Sequence, residues 1–118
     1  MKDCLEDATL DGFLDELCQG SHTHGESLHA GAAFLGFEEG LFVRADRPTY
    51  LNFVRLMRDQ RQIRRHIEWR HLNGRIASAC LVESNGPDRR VSFLTLMCFD
   101  SGWKIMSQTF EAATGGAP

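Results

Sequence analysis

The stretch that most constrains what this chain can fold into is Arg89–Glu111, RRVSFLTLMCFDSGWKIMSQTFE. Two segments rich in aromatic and branched side chains flank a polar break at Asp100-Ser101-Gly102, which is the pattern of a β-hairpin with a short loop. The first segment carries Val91, Phe93, Leu94, Leu96, Met97 and Phe99 with few polar interruptions, so both of its faces are expected to be covered. The second alternates. Trp103, Ile105, Ser107 and Thr109 fall on one face, and Lys104, Met106, Gln108 and Phe110 on the other. Neither face is purely polar, which sets this strand inside a curved sheet.

A second hairpin precedes the first. Ile63, Ile67 and Trp69 alternate with Arg64, His66, Glu68 and Arg70, and Asn73-Gly74 is the strongest two-residue turn signal in the chain. Arg75–Glu83 returns with Ile76, Ser78, Cys80 and Val82 on one face and Ala77, Ala79 and Leu81 on the other. The turn Asn85-Gly86-Pro87-Asp88 joins the hairpins into four consecutive antiparallel strands. Upstream the period changes to that of helices. Within Asp3–Cys18, Leu10, Phe13, Leu14 and Leu17 form one apolar stripe, and Gly20 ends the helix. Glu26–His29 is expected to form a short second helix. Ala32, Phe34, Leu35 and Phe37 then suggest a strand, turning at Glu38-Glu39-Gly40 into Leu41–Arg44. A third helix is expected over Asp46–Asp59, where Tyr50, Phe53, Val54 and Met57 share a face and Pro48 is tolerated in the first turn. Helices segregated from antiparallel strands define an α+β class: about three helices over a strongly bent, antiparallel-rich sheet that encloses a cavity.

At 118 residues and 42% hydrophobic content the chain is sized for one domain, 1–118, with 112–118 a Gly-rich frayed tail. A formal charge of −3 speaks against a nucleic-acid partner. Cys4, Cys18, Cys80 and Cys98 form no CxxC pair and are expected to be buried thiols rather than a disulfide frame or a zinc knuckle. No apolar run approaches the ~20 residues of a membrane span. The first twenty residues are acidic and lack the basic-then-apolar order of a signal peptide, so a cytoplasmic location is expected.

Residues 94–111, LTLMCFDSGWKIMSQTFE, resemble the C-terminal signature of the nuclear transport factor 2-like superfamily, in which a turn between the last two strands is followed by Gly-Trp-Lys-Ile. Leu28–Gly40, LHAGAAFLGFEEG, is similar to that superfamily's His-x-x-Ala approach to its first strand. The resemblance runs from the first helix to Phe110 and is nearest to a small bacterial "lumazine-binding" group, neighbours of the SnoaL-like polyketide cyclases. It implies a cone-shaped α+β fold with an apolar cavity, commonly a homodimer through the open sheet face. The superfamily hosts isomerases, cyclases, dehydratases and epoxide hydrolases as well as members without catalysis. Isomerase-like members place a carboxylate base just after the first strand, where Glu38 is the nearest match. Their oxyanion-hole acid would fall near Thr95, which cannot play that part. The lumazine-binding-like group often has an Asp where this chain has Ser92.

The function expected is therefore binding of a small apolar or aromatic molecule in the cone. The ligand-facing candidates are Phe13, Phe34, Phe37, Tyr50, Phe53, Trp69 and Phe93. The alternative is acid/base catalysis, with Glu38 or His66 taking a proton and Tyr50 or His29 donating a hydrogen bond. A second alternative is an interaction module that uses the outer sheet face. Each candidate has a plainer role: His29 as a packed or capping residue, Tyr50 as a core ring, and His66 with Glu68 and Arg70 as a solvated strand face. His22 and His24 read as loop residues, no metal is expected, and no cofactor motif, phosphate loop or nucleophile elbow is present.

Overall fold

The computed structural model of the protein describes residues 7–19, 27–46 and 63–113. The expected helix over Asp46–Asp59, with Tyr50 and Phe53, lies outside them, as do His22, His24 and most of the tail. Among the described residues there are one helix and six strands: α1 (Asp7–Gln19), β1 (Leu28–Glu38), β2 (Leu41–Asp46), β3 (Arg64–Asn73), β4 (Ile76–Asn85), β5 (Asp88–Phe99) and β6 (Gly102–Ala113). Of the short helix expected at Glu26–His29, Glu26 lies outside the described residues, Ser27 is helical, and Leu28 and His29 already belong to β1.

The sheet order is β2-β1-β6-β5-β4-β3. The four late strands form the antiparallel meander expected from their turns. What the turns do not announce is that β1 lies parallel to β6, with Phe34 opposite Gln108 and Gly36 opposite Phe110. The sheet is therefore mixed, and its one parallel pair joins distant parts of the chain. β2 folds back on β1 through Glu39-Gly40, whose φ values of 52° and 81° suit a two-residue hairpin turn.

α1 lies against the concave face. Leu10, Leu14 and Leu17 are buried and pool with Leu28, Ala32, Phe34, Ala79, Leu81, Leu94, Leu96, Trp103 and Ile105 in one core. Burying each leucine of the stripe contributes about 2 kcal/mol. Asp11, on the exposed side of the helix, accepts two bonds from the Arg70 guanidinium, at 2.8 and 3.2 Å, which stitches α1 to β3. Because Asp11 is half exposed, this fork contributes about 1 kcal/mol at most and serves mainly to orient the helix.

Two bulges decide which side chains face that core. In β3, Ile67 pairs with Leu81 and Trp69 with Cys80, so Glu68 is an extra residue. In β6, Ser107 pairs with Thr95 and Ile105 with Leu96, leaving Met106 extra. An inserted residue reverses the inside-outside parity beyond it. Simple alternation puts Trp69 on the buried side with Ile67, whereas the bulge turns Trp69 out and Arg70 in. Likewise Gln108 and Phe110, not Ser107 and Thr109, join Trp103 and Ile105 on the concave face. The expectation that β5 is covered on both faces also fails: Phe93 and Met97 are exposed on the outer side.

Gly36 marks the closest approach between β1 and β6. A Cβ there would meet the Phe110 carbonyl oxygen and come within 2.6 Å of its ring. The backbone atom cannot step aside without sliding the strand. Gly36→Ala is expected to cost about 2–3 kcal/mol in urea unfolding, while an alanine at Gly12, where nothing lies within 4 Å, should leave stability unchanged or raised.

Candidate ligand-binding site

Cross-strand partners share a face, so the register lays the concave side out in rows. The first row runs Arg65, Glu83, Arg90, Ala112, Glu38. The next is Ile67, Leu81, Ser92, Phe110, Gly36. Behind it come Ala79, Leu94, Gln108 and Phe34, and then Leu72, Ala77, Leu96, Ile105 and Leu28. One end of the concave face is thus charged and the interior is apolar, with Ser92 and Gln108 as polar insertions and Arg70, the partner of Ala79, at the β3 end of the third row.

A concavity lies where these rows meet the end of α1. Its walls are Leu17, Leu28, Leu81, Leu94 and Ile105 on the apolar side and Arg65, Glu83 and Gln108 on the polar side. Its enclosed volume of ≈ 20 Å³ is the space of one or two waters. Arg65 and Glu83 are partly exposed and form an ion pair, Nε to Oε2, at 3.0 Å. Gln108 and Ser92 are buried, and the Gln108 amide Nε2 donates to Ser92 Oγ at 2.8 Å. Arg90, in the charged row, lies 5.5 Å over the Phe110 ring. Cys18, at the end of α1, is half-buried nearby. Burial pushes its thiol pKa up, Asp15 and Glu83 push the same way, and Arg65 opposes them.

The residues singled out by sequence are scattered relative to this concavity. Phe34 is fully buried in the core, and Phe13 packs against it from α1. Glu38 sits half-buried at the far end of the charged row, separated from Arg90 by Ala112. His29 is a packed residue: its ring stacks on Phe99 at 5.3 Å, and its Nδ1 accepts the Gly31 amide at 3.0 Å. His66 is exposed on the outer face, 3.8 Å from Glu68. Phe37, Trp69 and Phe93 are also on the outer face, so the structure takes them out of the cone and withdraws them as lining residues. Trp69 tilts against Phe93 at 5.6 Å, and Phe37 meets Phe42 edge-on at 6.0 Å. Cys18 and Cys80 are free, while Cys98 is disulfide-bonded and not the free thiol expected. Among the described residues no three His, Cys, Asp or Glu side chains converge as a metal site needs, and no helix is long and apolar enough to cross a membrane.

The polar wall is what sequence reading passed over. Arg65 stands two residues before Ile67 on the same face of β3, and its charge draws attention away from that inward position. Gln108 was placed with Lys104 because the bulge at Met106 leaves no trace in the residue pattern.

The architecture is an α+β roll, a mixed sheet curled around a helix with a polar wall at one end of its concave face. The family described as "putative lumazine-binding" matches residues 6–111, and the chain belongs to it. The fold is shared with an NTF2-like protein of unknown function from Methylobacillus flagellatus (13% identity, 95% of this chain and 98% of that one, TM-score 0.77). It is likewise shared with an NTF2-like protein of unknown function from Silicibacter pomeroyi (17% identity, 89% and 93%, TM-score 0.75). A cystatin-like domain of unknown function from Nostoc punctiforme is similar over 90% of this chain and 78% of its own, at 14% identity and a TM-score of 0.64. At these identities the likeness is one of fold. No curated protein matches the sequence.

The raised Cys18 pKa has a consequence for stability. As pH rises through the ordinary thiol range, the unfolded chain releases this proton while the folded chain holds it, so unfolding is increasingly favoured. Stability should therefore fall with rising pH in that range. Cys18→Ser should flatten part of the fall, and Cys80, raised by burial in the same direction, should account for more of it. Denaturant midpoints measured across that range check this. Alkylation of Cys18 in the folded protein should also run slower than that of an unstructured thiol.

Proposed function

We propose that the chain is a small-molecule-binding domain that takes a planar, largely apolar ligand at the concavity between α1 and the charged end of the sheet. The carrying observation is chemical contrast: Arg65, Glu83 and Gln108 stand together on a wall that is otherwise leucine and isoleucine. Polar groups placed on an apolar surface orient a ligand. The family's lumazine description supports a heteroaromatic ring. An enclosed space of ≈ 20 Å³ cannot take such a ring whole, so an edge of the ligand enters and its body rests at the mouth beside Arg65 and Glu83. Thermal-shift measurements over a panel of two-ring heteroaromatics, lumazine included, test the reading. A ligand present at 100 times its Kd adds about 2.7 kcal/mol to stability, which raises Tm by several degrees. Leu17→Trp, which fills the concavity from α1, should keep the far-UV spectrum and abolish the shift. A panel without any shift would sink the reading.

The second element is self-association through the outer sheet face. Phe93 is 55%, Phe37 49% and Phe42 63% exposed, and they lie with Trp69 and Met97 on one side of the sheet. The register sets the rings in two clusters, Phe37 with Phe42 and Trp69 with Phe93, on either side of the polar outward residues Thr109 and Glu111 of β6, and exposed rings of this size mark an interface. The occupant proposed is a second copy of the chain, whose matching face would cover the same rings in a two-fold arrangement. Sedimentation at micromolar concentration should give a dimer, and Phe93→Glu should give a folded monomer. A monomeric wild type would end the proposal.

A further inference from the structure

We infer that the part of the ligand gripped by the polar wall is a neutral cis-amide edge, a carbonyl adjacent to an N–H, as in a lactam, an imide or a cyclic urea. This rests on the reading of the concavity as the binding site and adds the chemistry that the site selects.

The argument is one of unused hydrogen-bonding capacity. Arg65 engages Glu83 through Nε, and among the described residues its two terminal nitrogens have no partner. Glu83 uses only Oε2, which leaves Oε1 available. Gln108 spends Nε2 on Ser92, which directs its carbonyl oxygen away from that hydroxyl, and among the described residues this oxygen has no partner. Gln108 is 3% exposed, and among the described residues only Trp103 Nε1 is a wholly buried side-chain polar atom without a partner, so Gln108 Oε1 keeps access to the concavity. The three side chains line one concavity. The wall therefore offers a donor fork beside two acceptors.

Few ligand groups satisfy both signs at once. A carboxylate would pair with Arg65 but confront the oxygens of Glu83 and Gln108. An ammonium group would suit those oxygens but confront the guanidinium. A hydrocarbon edge would bury their remaining donors and acceptors unmet, which is the costly outcome for polar groups. A cis-amide edge places its carbonyl on the Arg65 terminal nitrogens and its N–H on Gln108 Oε1 or Glu83 Oε1. Such an edge is also thin. It occupies the space of the one or two waters that the enclosed volume admits and replaces their hydrogen bonds with its own. The ring behind it meets Leu17, Leu28 and Leu81.

Calorimetric titration of the full chain with three probes of similar size tests the inference: lumazine, 1,3-dimethyllumazine, in which both N–H groups are methylated, and 2-naphthoate. Lumazine should bind, and the dimethyl compound and the naphthoate should each bind about tenfold or more weakly, because a site built to bond an N–H rejects the analogue that lacks it. Gln108→Met keeps the side-chain volume and removes the carbonyl. It should weaken lumazine by about tenfold and leave the affinity for 1,3-dimethyllumazine unchanged. If that variant does not fold, Arg65→Lys, at a partly exposed position, carries the same comparison through loss of the fork. Equal affinity for lumazine and its dimethyl derivative would overturn the cis-amide assignment while leaving the binding site in place. Preference for the naphthoate would overturn it in favour of an anion site. If no probe binds, or if Leu17→Trp leaves binding intact, the concavity is not the site and the inference falls with it.

Discussion

The parallel contact between β1 and β6 is what the rest of the structure depends on. It joins the strand after α1 to the last strand of the meander and so links the β1–β2 hairpin to the other four strands. Without it the β1–β2 hairpin would have no strand partner in the four-stranded meander, to which α1 is tied separately through Arg70 and its leucine stripe. The contact is tight because Gly36 lets the Phe110 ring and backbone lie directly on β1. That closeness sets the register, and the register sets the site: Phe34 comes opposite Gln108, Leu28 opposite Ile105, and Glu38 opposite Ala112. The core and the polar wall are two readings of one strand alignment.

The wall itself runs against the stability of the core. A guanidinium and a carboxylate withdrawn partly from water lose hydration that their mutual attraction only partly restores, and a well-packed apolar pair would serve the core as well or better. The same is true of the buried amide–hydroxyl pair of Gln108 and Ser92. Polar groups in such positions are accounted for by specificity more readily than by stability. On the other side of the sheet the imbalance is reversed, with phenylalanine and tryptophan side chains facing water. The two faces thus depart from the usual pattern in opposite directions, one in burying polar groups and the other in exposing aromatic ones.

Much of the architecture was legible in the residues. The antiparallel meander followed from its turns, Asn73-Gly74, Gly86-Pro87 and Ser101-Gly102, and the α1 stripe followed from the spacing of Leu10, Leu14 and Leu17. The fold family was legible from Leu28–Gly40 and Leu94–Glu111, whose order carries more information than either motif alone. The site was much less so. Strand faces were assigned by alternation, and the extra residues Glu68 and Met106 reverse alternation without any residue type that signals a bulge. Trp69 was therefore expected inside and Gln108 with the wrong neighbours. The ion pair of Arg65 with Glu83 depends on the register of a whole hairpin, and a parallel partner for β1 has no local signature at all. Aromatic side chains drew the search for a pocket because they dominate apolar cavities. Here Phe34 completes the core, and Phe37, Trp69 and Phe93 belong to the opposite surface.

The parallel junction also bears on how the molecule is assembled during translation. β1 leaves the ribosome long before Gly102–Ala113, its only long partner, has been made, and a contact between such remote segments forms late and slowly. Until then, among the described strands, β1 can pair only with the short β2, and the leucine stripe of α1 is the one element already made that can cover Phe34 and Leu28. The β1 edge that β6 later closes stays open in that interval, and an open strand edge is a template for misassociation.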